Sequence, residues 1–125
     1  MYKSVNLLEY KLYHRKCDLL LQETEIRFAG FLDTMGNLIA GGFRENVMPL
    51  NDESERLKLH METLLRVKTE QDFDYDLGTI EYSVSRRKKV ITFTFAFDSK
   101  VLFVSTETNV EIEKTAQKIM KICSI

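Results

Sequence analysis

The sharpest chemical feature in the sequence is Arg86-Arg87-Lys88-Lys89, four cations in a row. Clustered like charges focus a local field, so this segment is a candidate contact for a phosphate group, an acidic partner or nucleic acid. The plainer account is a solvated hairpin turn whose charges discourage edge-to-edge sheet pairing. No aromatic residue is interleaved for base stacking, and the whole chain carries a formal net charge of −1, so nucleic acid is disfavoured against an acidic protein. A second candidate is Gly41-Gly42-Phe43-Arg44, which offers a backbone nest for an anion with Arg44 assisting. It lacks the glycine-rich loop and lysine of a nucleotide-binding loop, and a turn needing two flexible residues explains it as well.

The other reactive side chains fall in no catalytic or metal-binding pattern. His14 and Cys17 are three residues apart on a predicted helix, but two ligands do not make a site, and His60 has no Cys or Asp at ligand spacing. A packed cysteine beside a surface histidine accounts for the pair. The acidic run of residues 72–76 has no second carboxylate cluster with which to divide acid and base roles. No Ser-His-Asp or Cys-His arrangement emerges. The sequence therefore indicates neither an enzyme nor a cofactor or metal.

Composition sets the frame for these groups. A chain of 125 residues with 44% hydrophobic and 30% charged side chains is one ordinary globular domain, long enough to bury a core without staples. Two cysteines cannot build a disulfide scaffold, so a reducing compartment is expected. The first residues run into charge without an apolar signal core, and no apolar run is long enough to span a bilayer. A cytoplasmic domain with no membrane association is the expectation.

The elements follow from periodicity. Residues 26–42 read as a β-hairpin: an apolar strand, a polar loop at Asp33-Thr34-Met35-Gly36-Asn37, and a return to the double glycine. Phe28, Ala29, Phe31 and Leu32 make the first strand apolar on both faces, which predicts a central position with a layer on each side. Before it, Asn6 and Glu9 form a capping box for a helix over 6–22, with Tyr10, Tyr13, Cys17, Leu20 and Leu21 on one stripe. After it, residues 43–50 form a connector opened by Gly41-Gly42. An acidic, cap-rich entry at 51–55 then starts a second helix running to about Lys68.

The stripe of this middle helix is read as Leu57, Met61, Leu64 and Leu65 covering the sheet, which leaves Leu59 and Val67 as surplus apolar surface. Residues 71–78 are expected to be a docked loop because of Phe73, Tyr75 and Leu77. Three strands follow, at 79–85, 90–97 and 101–104. The second carries Ile91, Phe93, Phe95 and Phe97 on one face and threonines on the other. A last helix, capped by Thr108 or Asn109, bears Ile112, Ala116, Ile119, Met120 and Cys123.

The resulting order, α-β-β-α-β-β-β-α, resembles the roadblock/dynein light chain family over nearly the whole chain. Its local carriers are Gly30-Phe31-Leu32-Asp33-Thr34-Met35-Gly36-Asn37-Leu38-Ile39-Ala40, similar to that family's first hairpin, and the long helix that follows. Residues 26–42, taken with Tyr82-Ser83-Val84-Ser85-Arg86-Arg87, are also similar to an uncharacterised archaeal group of roadblock-like proteins. The connector at 43–50 is longer than the family's tight hairpin-to-helix join.

The resemblance implies an α+β, three-layer α/β/α sandwich of the roadblock/profilin-like kind. Its five-stranded antiparallel sheet would have the first and last helices on one face and the middle helix on the other. It also implies a non-catalytic homodimer that scaffolds or regulates a small GTPase. The expected dimer seam combines the middle helix with the adjacent edge strand: Leu57, Leu59, Met61 and Val67 with Ile80, Tyr82 and Val84. Arg86, Arg87, Lys88, Lys89 and Arg44 are the expected contacts to an acidic partner. The competing function is a small-molecule sensor with a pocket between sheet and helix. It is disfavoured in sequence because its lining candidates, Phe28, Phe93, Phe95 and Phe103, look like ordinary core.

Overall fold

A computed structural model describes residues 6–125; the leader-free start expected at residues 1–5 lies outside them. The elements are α1 (Leu7–Leu21), β1 (Ile26–Leu32), β2 (Leu38–Phe43), α2 (Glu53–Gln71), a single helical turn α3 (Asp74–Leu77), β3 (Ser83–Arg86), β4 (Ile91–Phe97), β5 (Lys100–Thr106) and α4 (Ile112–Cys123). The five strands form one antiparallel sheet in the order β2-β1-β5-β4-β3. β1 and β5 are adjacent and internal, as their two apolar faces require.

Two cores sandwich the sheet. On one side Tyr13, Cys17 and Leu20 of α1 and Ala116, Ile119 and Cys123 of α4 pack on Ile26, Phe31, Phe93, Phe95 and Val104. Lys16 Nζ ties these helices together by donating to the Cys123 carbonyl at 2.6 Å, at the end of α4 where orphan carbonyls need partners. On the other side Leu64 and Val67 of α2 pack on Phe28, Leu32, Val101 and Phe103.

Local chemistry explains the joins. Asn6 Oδ1 accepts from Glu9 N and Asp52 Oδ1 accepts from Glu55 N, so both long helices begin on a side-chain cap. In the β1–β2 turn, Asp33 Oδ1 accepts from the amides of Met35 and Asn37, both at 2.9 Å, while Gly36 takes φ +85°.

Several expectations are corrected. Gly41 and Gly42 belong to β2 rather than opening a connector; Gly41, at φ +98°, lies against β1 so closely that a Cβ there would sit 2.0 Å from the Ala29 carbonyl oxygen. β3 begins only at Ser83, because the Ile80 amide is taken by Asp74 Oδ1 of α3. Residues 71–78 are not docked: Phe73, Tyr75 and Leu77 project to solvent, Tyr75 with 88% of its surface exposed. α4 starts on Glu111, without a side-chain cap, because Thr108 lies a turn upstream and its carbonyl accepts from Arg86.

The largest correction concerns α2. Its sheet-facing side is His60, Thr63, Leu64 and Val67, whereas Leu57, Met61 and Leu65 are exposed. Val67 is 5% exposed and Leu65 69%, so the surplus residue is Leu65 and Val67 is core.

Candidate functional site

The side chains expected to form the dimer seam do not lie on one surface. Leu57 and Met61 lean toward the β1–β2 hairpin: Leu57 shares a groove with Leu38 and Phe43, and Met61 Cγ lies over Gly36. Leu59 is partly buried against the α2-side core and leans the opposite way, toward Val90 and Thr92. Arg66 and Glu70 extend that flank, reaching Ser85 Oγ at 3.1 Å and Ser83 Oγ at 2.7 Å. Val84 of β3 and Tyr82 just before it pack on the α1/α4 core, on the other sheet face. Ile80 is outside the strand.

The edge position expected for the strand is found, since among the described residues β3 pairs with β4 alone. The exposed apolar content of α2 is the series Leu57, Met61 and Leu65. It repeats every four residues and drifts from the hairpin flank toward the outward crest of the helix.

The four basic side chains of the β3–β4 turn are exposed, and none of the ion pairs among the described residues engages them. Arg86 donates to the Thr108 carbonyl at 3.1 Å, and the turn is closed by Arg87 N donating to Val90 O at 2.9 Å. Arg44 does not join them. Its Nε donates to the Ile26 carbonyl at 2.9 Å and its Nη2 lies 3.9 Å from Glu107, so it pins the end of β2 to β1 and is withdrawn as an anion contact.

His14 and Cys17 do not share a ligand either. The His14 ring packs edge-on against Tyr10 at 4.4 Å between centroids, and Cys17 is fully buried. Burial pushes the Cys17 thiol up to about 12 and that of Cys123 to about 11, which keeps both protonated and unreactive. No group of three or more His, Cys, Asp or Glu among the described residues is placed to hold a metal.

A site that periodicity did not disclose lies between α2 and the sheet. A cavity of about 70 Å³ has Phe28, Ser105 and Thr92 on its floor and Leu59 and His60 above. The floor residues are cross-strand partners on β1, β5 and β4, so they form one row across the sheet. The cavity adjoins an open groove of about 700 Å³ toward β2, the two sharing Phe28, Phe43, Arg56 and His60.

The His60 ring lies 5.2 Å from Phe103 and 5.9 Å from Phe28. Burial, reinforced by the nearby Arg56, holds its pKa below the ordinary histidine value, so the ring is neutral at neutral pH. Arg56 packs over the Phe43 ring at 5.2 Å and donates to the Asn51 carbonyl. Of the four phenylalanines weighed as pocket lining, Phe28 and Phe103 line this cavity; Phe93 and Phe95 belong to the opposite core. The available signal was the threonine-bearing face of β4, which puts hydroxyls where a helix must cover the sheet.

Over residues 4–124 the chain matches the model of a family described as a family of unknown function (DUF6659). No curated protein matches it. Among solved structures it is similar to Myxococcus xanthus MglB, at TM-score 0.71 and 16% identity over 99% of this chain and 88% of that one. The gliding protein MglB from Thermus thermophilus is similar at TM-score 0.65 and 13% identity, over 99% and 94% of the two chains. A Roadblock/LC7 domain from Streptomyces avermitilis is similar at TM-score 0.66 and 9% identity, over 89% and 91%. At these identities the likeness establishes the roadblock fold.

Proposed function

The chain belongs to that DUF6659 family, and on that premise we propose that it is a non-catalytic, cytoplasmic homodimer that scaffolds or regulates a small GTPase. The observation that carries the dimer is the series Leu57, Met61 and Leu65. It is symmetric about Met61. A two-fold axis through Met61 sets Leu57 of one copy against Leu65 of the other, so one patch is complementary to itself. The same axis brings the acidic first turn of α2, with Glu53 and Glu55, near Lys68 of its partner. The free edge of β3 lies at the side of the sheet reached by Arg66 and Glu70 and is a second surface open to a partner strand.

The GTPase partner rests on the roadblock fold and on the exposed cations of residues 86–89, which suit an acidic protein surface. The archaeal kinship suggested by residues 26–42 taken with residues 82–87 belongs with this proposal. Light scattering at micromolar concentration tests the dimer, with twice the 14.6 kDa chain mass expected. GTP hydrolysis and nucleotide exchange by small GTPases of the same organism, measured with and without the protein, test the partner. A monomer, or rates unchanged for every GTPase, overturns the corresponding half.

A further inference from the structure

Three polar side chains in the α2–sheet cavity are each at least nine-tenths buried: His60 at 7% exposure, Thr92 at 9% and Ser105 at 7%. None of the three makes a side-chain hydrogen bond among the described residues. Buried polar groups are nearly always paired, because leaving one unpaired costs most of its desolvation penalty. The polar atoms of these three are not among the fully enclosed ones and open on the cavity, so hydrogen-bonding atoms from outside the chain can reach them.

Electrostatics narrows what those atoms are. No carboxylate lines the inner cavity, while Arg27 and Arg56 do. Arg27 is engaged, with Nη1 3.4 Å from Glu107 and Nη2 donating to the Met48 carbonyl at 2.9 Å. Arg56 makes one hydrogen bond and keeps most of its N–H donors. One available guanidinium beside hydroxyls and an imidazole balances a single negative charge. A phosphate dianion would bring a second charge without a partner.

Size and walls narrow it further. An apolar cavity of roughly 150 Å³ takes up benzene, so 70 Å³ admits a head group and no ring. The adjoining groove, with Phe43, Leu57 and Leu38 along it, is wide enough for an apolar body.

We propose that this cavity and groove bind a small monocarboxylic acid, the carboxylate seated among His60, Thr92, Ser105 and Arg56 and the apolar body lying along Phe43 and Leu57. The proposal goes beyond the dimer; the two share Leu57, and the inner cavity around His60, Thr92 and Ser105, which none of Leu57, Met61 and Leu65 lines, is what separates their tests. His60 and Thr92 act as donors to the carboxylate, with Ser105 completing the set. The aromatic edges of Phe28 and Phe103 exclude water around them.

The test is a titration of the full chain with acetate, isobutyrate, benzoate and phenylacetate, beside the uncharged isobutyramide and phenylacetamide. The readouts are the imidazole ¹H–¹⁵N signals of His60, with the exposed-side His14 as internal control, and the melting temperature. At least one acid is expected to shift His60 saturably and raise the melting temperature, with its amide inert. Arg56→Gln, Thr92→Val and Ser105→Ala should each weaken that acid by about tenfold or more, the loss of a hydrogen bond to a charged group.

The two hydroxyl variants should leave the free protein as stable as before, since each removes an unpaired group. The proposal is overturned if no acid shifts His60 saturably, or if the shift survives in all three variants. It is also overturned if Thr92→Val lowers the melting temperature while no acid binds, which identifies the cavity as a seat for ordered water.

Discussion

Replacing Val67 by Ala and, separately, Leu65 by Ala separates the two faces of α2. Val67 packs in the α2-side core with 5% of its surface exposed, and its truncation removes two methyl groups. At roughly 0.8 kcal/mol per buried carbon, with a further cost for the space left behind, the loss should be about 2–3 kcal/mol. Leu65 is 69% exposed, so within one chain its truncation should cost about 0.5 kcal/mol or less.

In the proposed dimer, however, each Leu65 is covered by its partner and appears twice in the seam. At about 1.5 kcal/mol per copy, Leu65→Ala should weaken dimerisation on the order of 100-fold. Urea unfolding under monomeric conditions measures the first pair of numbers, and sedimentation equilibrium measures the last. Two outcomes would refute this assignment of faces: a Val67→Ala loss below about 0.5 kcal/mol, or a Leu65→Ala loss above about 2 kcal/mol in the monomer. An unchanged dimer constant for Leu65→Ala would move the seam off α2.

Gly41→Ala should destabilise by more than about 2 kcal/mol, since φ +98° and a Cβ 2.0 Å from the Ala29 oxygen cannot both be relieved, whereas Gly42→Ala meets nothing within 4 Å and should be nearly neutral; paired thermal melts check this. Because burial holds the folded-state pKa of His60 below its unfolded value of 6.5, the unfolded chain binds the extra proton. This contribution is therefore full above 6.5 and lost as pH falls through the folded pKa, a slope in the urea midpoint that His60→Gln should abolish. Reversing Arg86 and Arg87 to Glu should leave the melting temperature nearly unchanged, since exposed charges carry little stability, yet weaken an acidic partner in a binding assay. Cys17 and Cys123 should resist iodoacetamide at about pH 8 in the folded protein and react on unfolding, as mass spectrometry can follow.

The sheet was legible in the sequence because its central strands declare themselves on both faces. Phe28 and Leu32 serve one core and Ile26, Ala29 and Phe31 the other, which no edge strand can satisfy. The orientation of α2 was not legible, for a physical reason. Leu57, Met61 and Leu65 make a cleaner apolar series than the side that faces inward, which mixes His60 and Thr63 with Leu64 and Val67. The helix tolerates that mixture because part of the floor beneath it is itself hydroxylic: Ser83, Ser85, Thr92 and Ser105 share the face. The cavity followed the same logic. A threonine face on β4 marks a solvent side when a strand is read alone, and only the helix laid across it turns those hydroxyls inward. The cationic turn was found as an exposed segment; what it binds depends on a partner surface that no pattern within the chain encodes.

The pairing of β1 with β5 also dictates an order of events as the chain is made. Ile26 pairs with Thr106, so the central ladder closes only once the chain has emerged through β5. Until then the first hairpin has α1 for company, but one long side of β1 lacks its neighbour and Phe28 and Leu32 lack Val101 and Phe103. Closing so long a loop is slow, and a half-covered strand is a template for wrong pairing. Nascent chains stalled before β5 should therefore be held by chaperones or aggregate, and folding on the ribosome should complete late and all at once.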